Sequence, residues 1–322
     1  ICSDIAPLLF DKNIENIYPF EPGTYSVYHK EKDHFELSFS EKYYYNISRS
    51  CIQPKKTIEY YMFELLKQLK MAIVLRVCNS DRPIASLLSG GLDSSIISAY
   101  VSRFYKINKK QQLETYSIGL QDAEDLKFSK KVADHIGSKH KQIIVSNETF
   151  INSIPDVIKD IESYDTTSVR ASVGNWNIGK YIKSNSEAKV IFNGDGADEL
   201  MGGYMYFHCA PNNEEFDNEI KRLLKDIHRF DVLRSDKSIS SHGLEARTPF
   251  LDREFTKYYL SIPIEYRNHN ETKKCEKYLI RKAIDLYDSE LLPKEVLWRP
   301  KEAFSDGVSS LEKSWFQIIQ DH

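Results

Sequence analysis

The stretch from residue 84 to residue 104 narrows the fold most. A short apolar run, Ile84-Ala85-Ser86-Leu87-Leu88, passes through Ser89-Gly90-Gly91-Leu92-Asp93-Ser94-Ser95 into a helical pattern that reaches Phe104. A short, mostly apolar run of this kind reads as a strand buried on both faces, and such strands occur in parallel sheets covered by helices. Two adjacent glycines bend the chain directly from that strand into the helix. The same alternation recurs downstream. Leu113 to Leu120 reads as a strand, Asp125 to Ile136 as a helix, Lys141 to Val145 as a strand, Phe150 to Ile161 as a helix and Lys189 to Phe192 as a strand. Strands alternating with helices predict an α/β fold: a parallel sheet with helices on both faces, and ligands beyond the carboxyl ends of the strands.

The flanks differ from this middle. Residues 1–50 read as short strands and turns, with Pro22-Gly23 as a turn, an extended Thr24 to Tyr28, and a second extended stretch from Phe35 to Tyr45. Fifty such residues bury little core of their own. The chain also opens with Ile1-Cys2 in place of Met, so 1–55 reads as the end of a domain that begins upstream, followed by a second domain over 56–322. That domain starts with an amphipathic helix from Thr57 to Val77, broken by Asp81-Arg82-Pro83. After about Leu200 the strand signals fade and the remainder reads as mainly helical.

Composition excludes some classes of function. A net charge of −3 supplies no basic field for nucleic acid. No apolar run approaches the roughly 20 residues needed to cross a bilayer, and no signal-peptide pattern is present. The five cysteines, Cys2, Cys51, Cys78, Cys209 and Cys275, are scattered and form no CxxC pair. They are expected to be small buried hydrophobes in a reducing, cytoplasmic setting rather than a disulfide framework or zinc site.

The glycine turn is an expected anion cradle. Its glycines aim backbone N–H groups outward, the helix behind adds its positive end, and the serines add hydroxyl donors. It is not a GxxxxGK[ST] loop, and it carries an acid, Asp93, at its centre. A carboxylate beside phosphates needs a cation between them, which points to Mg²⁺.

With these residues in view, SGGLDSS resembles the pyrophosphate loop of the ATP pyrophosphatase superfamily, whose members adenylate a substrate and release pyrophosphate. Four further segments resemble the glutamine-hydrolysing asparagine synthetases within it. Asp165 to Ser172 is similar to the segment that contacts aspartate, and an arginine among hydroxyls suits a dicarboxylic amino acid. Asn193 to Tyr204 is similar to S-G-E-G-[AS]-D-E-x-x-G-G-Y. Asp231 to Lys237 with His242 to Asp252 resembles L-R-x-D-K and G-[LV]-E-x-R-x-P-F-L-D, while Arg299 to Gly307 resembles R-x-K-E-x-F-S-D-G. Ser3 to Tyr25 looks like the closing part of the family's N-terminal glutaminase (Ntn-type) domain, so Cys2 does not stand at the glutaminase nucleophile's position.

The resemblance implies an adenine nucleotide alpha-hydrolase-like fold and a carbon–nitrogen ligase working through β-aspartyl-AMP, with ATP and Mg²⁺ required. Leu88, Ser89, Gly90, Gly91, Asp93, Ser94, Ser95, Ile118, Asn193 and Gly194 would hold ATP and pyrophosphate. Thr167, Ser168, Arg170 and Asp198 would hold aspartate, with Asp93 and Asp198 on the metal. Asp195, Lys301, Arg234 and Asp231 would be catalytic, and Asp236 is expected nearby. Glu245 and Arg247 are expected to form a structural ion pair. The family's Ser and Glu in S-G-E-G are Asn193 and Asp195 here, which shortens the acid by one methylene. Implied partners are aspartate, ATP, ammonia and an upstream glutaminase domain, with no nucleic acid and no membrane, and a homodimer left open. The competing readings are another adenylating ligase such as β-lactam synthetase, and a non-catalytic ATP-binding homologue. The Arg170 segment counts against the first. Retention of Asp93 and Lys301 counts against the second.

Overall fold

The computed structural model describes residues 1–32, 34–42, 56–109, 111–270 and 275–301, arranged as two compact units, Ile1–Arg49 and Ser50–His322. In the first, a short 3₁₀ turn at Ala6–Phe10 precedes strands β1 (Thr24–Lys30) and β2 (Phe35–Lys42). They pair antiparallel from Thr24↔Lys42 to Lys30↔Phe35, with a bulge between Val27 and Tyr28.

The second unit is built on a five-stranded parallel sheet: β3 (Ile84–Leu87), β4 (Glu114–Leu120), β5 (Lys139–Val145), β6 (Val190–Phe192) and β7 (Glu245–Arg247). The spatial order is β5-β4-β3-β6-β7. The chain runs outward from β3 to β5, then returns to place β6 on the other side of β3. That reversal opens a crevice above the ends of β3 and β6.

Helices cover both faces. On one lie α1 (Ile58–Cys78), α2 (Leu92–Lys109) and α3 (Glu124–Ile136), and on the other α4 (Asn147–Ile161) and α5 (Thr166–Asn185). Side chains alternate across the sheet accordingly. Ile84, Val190 and Phe192 join the core under α1 and α2, whereas Ala85, Tyr116 and Ile191 join the core under α4 and α5. In α1, Met62, Leu65, Leu66, Leu69, Ile73 and Val77 recur at helical spacing and form the buried stripe. The Thr57 hydroxyl caps its first turn.

The rest is helical: α6 (Ala197–Met201), α7 (Asn213–Asp226), α8 (Asp231–Ser240), α9 (Arg253–Ser261), α10 (Ile264–Arg267), α11 (Tyr278–Tyr287) and α12 (Lys294–Leu297). Of these, α8 packs with α4 and α5, and α9 and α11 pack on α1. No helix among the described residues is long and apolar enough to cross a membrane.

Two expectations need correction, and one helix had no assignment from the sequence. A strand does occur after Leu200: β7 pairs parallel with β6, Val190↔Glu245 to Phe192↔Arg247. Three residues with two charges carry no periodic signal. Arg247 donates 2.7 Å to Glu245 and also bonds the backbone oxygen of Arg76, so this strand is tied down by polar contacts. The site segment after Asp165 begins a 20-residue helix. And Cys2, Cys78, Cys209 and Cys275 are exposed free thiols, not core residues. Cys78 ends α1 one residue beyond Val77, off the buried stripe. Cys51 lies outside the described residues.

The far face of β4 is polar but satisfied. His140 Nδ1 lies 3.0 Å from Thr115 Oγ1 and Nε2 lies 3.1 Å from Ser117 Oγ. Burial, aided by Lys130, pushes the imidazole down from 6.5 to about 4. The unfolded chain therefore takes up this proton below pH 6.5 while the native one does not, so stability falls as pH drops from 6.5 towards 4. Urea midpoints at pH 7 and pH 5 are expected to differ less in His140→Gln than in the wild type.

Candidate functional site

The cradle at residues 88–95 leaves the end of β3, and its shape rests on two close approaches. Gly90 has φ of 86°, and a Cβ there would stand 2.4 Å from the Ser129 nitrogen and 2.6 Å from the Phe128 carbonyl carbon. No other residue fits that turn without moving backbone. Arg299, itself buried, donates to the Gly90 carbonyl at 3.3 Å and to Asp125 Oδ1 at 3.1 Å. Within the loop, Ser94 Oγ receives the Ser89 N–H at 3.2 Å and meets Ser89 Oγ at 2.9 Å.

The turn after β6 closes on this loop. A Cβ on Gly194 would lie 2.7 Å from both the Asp93 carbonyl carbon and the Ser94 nitrogen. Asn193 is anchored by donating 2.7 Å to Ser235 on α8. Two turns that are distant in sequence thus form one rim, above a cavity of about 370 Å³, a size suited to a small ligand.

At one end of the cavity, charges are stacked. Lys277 Nζ lies 2.5 Å from Asp93 Oδ2 and 2.5 Å from Asp198 Oδ1, with its side chain only 1% exposed. Lys301 Nζ reaches Asp198 Oδ2 and sits 5.6 Å from the centre of the Tyr204 ring. Burial pushes the Asp93 carboxyl up, and Lys277 only partly opposes it. Burial acts likewise on Asp198, but Lys277 and Lys301 outweigh it and hold that carboxyl well below the usual range. Lys301 is correspondingly raised, the pull of Asp198 and Asp93 exceeding the cost of burial.

A second cluster stands beside it. On α8, Arg234 donates through Nε and Nη2 to Asp231 at 2.9 and 2.7 Å, and its Nη2 lies 3.5 Å from Asp195. Burial raises the Asp195 carboxyl, Arg234 opposes that, and Asp231 adds to it. Underneath, Tyr204 donates to the fully buried Glu199, whose carboxyl is driven well above its ordinary range by burial, Asp231 and Asp198.

The third wall is α5. Asp165 caps the helix by accepting from the Ser168 N–H at 2.8 Å, and this orients the first turn. Thr167, Arg170 and Ala171 then face the cavity. Leu88, just after β3, and Ile118 on β4 add apolar lining.

Among the expected site residues, Gly90, Ser95 and Ser168 do not line the cavity. Gly90 shapes the turn from behind, against Phe128 and Ser129. Ser95 and Ser168 are buried on the inner sides of α2 and α5. Asp236 is exposed on α8, because Asp231, Arg234 and Ser235 take the inward face of that helix. Glu302 to Gly307 lies outside the described residues. Both carboxylate oxygens of Asp198 are taken up by lysines, Lys277 and Lys301.

Several site residues escaped the sequence reading: Lys277, Glu276, Arg281, Tyr204 and Asn175. Lys277 falls in the lysine-rich run Glu271 to Lys277, which reads as solvated surface. The available signal was Glu276-Lys277 directly before the apolar helical run of α11. Arg281, 1% exposed, donates to the Leu297 carbonyl at 2.6 Å and pairs with Glu276, fixing the segment that carries Lys277.

The donor set fits a magnesium ion bound with a polyphosphate. Asp93 Oδ1 is buried without a hydrogen-bond partner among the described residues. Asp93 and Asp198 are already balanced by Lys277 and Lys301, so incoming phosphate charge calls for a further cation. Mg²⁺ is ordinarily held by one or two carboxylates together with phosphate oxygens and water.

Comparison with known proteins bears on this geometry. The family model described as Asparagine synthase matches residues 64–220 and 209–320. Asparagine synthetase [glutamine-hydrolyzing] of Gallus gallus is 51% identical over 244 residues, covering 76% of this chain and 43% of that protein. The Homo sapiens protein of the same name is 49% identical over the same shares. The chain thus spans 43% of the length of these curated relatives. A solved NAD+ synthetase from Burkholderia pseudomallei aligns over 74% of this chain and 96% of its own, at 11% identity and a TM-score of 0.33.

Proposed function

This chain belongs to the asparagine synthase family, and on that premise we propose that it activates the side-chain carboxylate of aspartate with ATP and passes it to ammonia, as a carbon–nitrogen ligase. The observation that carries the reading is the meeting, in one cavity, of a glycine–serine cradle, two lysines on an aspartate pair, and an arginine on α5.

The reaction has two steps. A carboxylate oxygen of aspartate attacks the α-phosphorus of ATP, the bond to the β-phosphate oxygen breaks, and β-aspartyl-AMP and pyrophosphate result. Ammonia then attacks the acyl carbon, loses a proton and expels AMP, leaving asparagine. Ser89, Gly91 and Ser94 hold the leaving pyrophosphate, and Leu88 and Ile118 wall the nucleotide. Lys301 takes up charge that grows on the bridging oxygen as the bond breaks. Mg²⁺, held by Asp93 and Asp198, would supply further charge neutralisation. Arg170 with Thr167 binds the carboxylates of aspartate. Asp195, set by Arg234 and Asp231, accepts the proton from the attacking nitrogen.

Residues 1–55 are read as the end of a glutaminase domain and 56–322 as the synthetase, in keeping with the separate unit Ile1–Arg49 and its hairpin. The nitrogen would come from glutamine by way of that domain, or from free ammonia.

The test is pyrophosphate release with Mg²⁺-ATP and aspartate, with and without ammonium. Release that needs aspartate, and yields asparagine only with ammonium, is the expected result. ATP binding without aspartate-dependent release would sink the proposal. In the same assay Arg170→Ala is expected to raise KM for aspartate about 10- to 100-fold, the loss of one charged hydrogen-bond pair. Its affinity for ATP should stay near the wild-type value.

A further inference from the structure

Asn175 sits on the wall of the cavity that the phosphate chemistry does not use. Thr167, Ala171, Asn175 and Ile178 follow one another at spacings of four, four and three, so they form a stripe down one side of α5. All four line the cavity, facing Leu87, Tyr116 and Ile118 of the sheet. Apolar side chains of Leu87, Ile118 and Ile178 line the cavity beside Asn175, surroundings suited to a planar base.

Within those surroundings Asn175 is an anomaly. It is 6% exposed, and it lines the cavity. The other asparagine in this part of the helix behaves differently: Asn177 donates to Ser153 Oγ at 2.9 Å and to the Val173 carbonyl at 2.8 Å. Its neighbour Trp176 likewise donates to Asp160 at 2.7 Å. No atom of the Asn175 carboxamide is both sealed from solvent and unpartnered, so the amide opens onto the cavity. A carboxamide on an otherwise apolar cavity wall is suited to a partner that arrives with the ligand.

Resting on the proposed function, we propose that Asn175 is a specificity-determining residue that reads the edge of the adenine base of ATP. Its oxygen accepts from the exocyclic 6-amino group and its nitrogen donates to the adjacent ring nitrogen, the two-point match of a carboxamide to adenine. The stacking surfaces of Tyr116 and Ile178 hold any base, and Asn175 selects among them.

The test measures dissociation constants by calorimetry, without turnover, for ATP and for purine riboside triphosphate, which has hydrogen in place of the 6-amino group. The wild-type chain is expected to prefer ATP by roughly 10- to 100-fold. In Asn175→Leu the preference should collapse to within about twofold, while the melting temperature stays near the wild-type value. Asn175→Ser, smaller and still polar, should lose the preference too and covers the case in which leucine overfills the site. An undiminished preference in a folded variant overturns the inference, as does a wild-type chain that binds both nucleotides equally. Failure of the wild type to bind either nucleotide overturns the proposed function as well, so the two failures are distinguishable.

Discussion

Lys277→Met is expected to destabilise the second unit by about 3–5 kcal/mol, the usual cost of removing one partner from a buried ion pair. The wild-type ammonium stands 2.5 Å from each of two carboxylates, and its side chain is 1% exposed. Without it, Asp93 and Asp198 face one another with no cation between them, and Lys301 pairs directly with Asp198 alone. The outcome should depend on conditions in a way that simple misfolding does not. Mg²⁺ should restore part of the loss by occupying the space between the carboxylates, and Lys277→Met/Asp198→Asn should be more stable than Lys277→Met alone. Urea unfolding with and without Mg²⁺ reads both effects. A single variant as stable as the wild type would show that Lys277 is not the cation that holds this pair.

Lys301→Met is expected to leave the fold intact and to slow aspartate-dependent pyrophosphate release by roughly 100- to 1,000-fold, the range for removing one donor from a developing anion. The contrast with Lys277 lies in what each leaves behind. Lys301 is 20% exposed and shares Asp198 with Lys277, so its removal strands no carboxylate. Its role falls on the step in which the bond between the α-phosphorus and the β-phosphate oxygen breaks. Lys301→Arg should rescue little, because the ammonium is confined between Asp198 and the face of Tyr204, and a guanidinium is larger and planar. Single-turnover pyrophosphate release is the measurement, with the ATP dissociation constant as its control. A rate within about fivefold of wild type would remove Lys301 from the chemistry.

Much of the site was legible because its parts are contiguous. Ser89 to Ser95 and Asn193 to Asp198 each bring glycines, hydroxyls and acids together over a few residues next to a strand, so their chemistry can be read locally. Helix α5 was not legible as a helix, since Gly174, Gly179 and several β-branched residues weaken its intrinsic preference. Its Asp165 cap and its packing against α4 and α8 supply the stability. Strand β7 is similar: its pairing with β6 is enforced by the sheet, not by its own three residues.

The alternation of apolar strand and helix patterns by itself determined a parallel α/β architecture, because buried strands require cover on both faces. The glycine–serine turn likewise determined an anion cradle at a strand end. Only the tertiary structure decided which charges meet there. Lys277 lies 184 residues from Asp93, and the one local sign that sets it apart from a solvated lysine, the apolar helical run that follows it, does not say which carboxylates it meets. Asn175 and Asn177 stand two residues apart in one helix, yet one is tied into the protein and the other faces the cavity. Local sequence governs backbone preference, but desolvation and charge pairing depend on distances that exist only after the chain has folded.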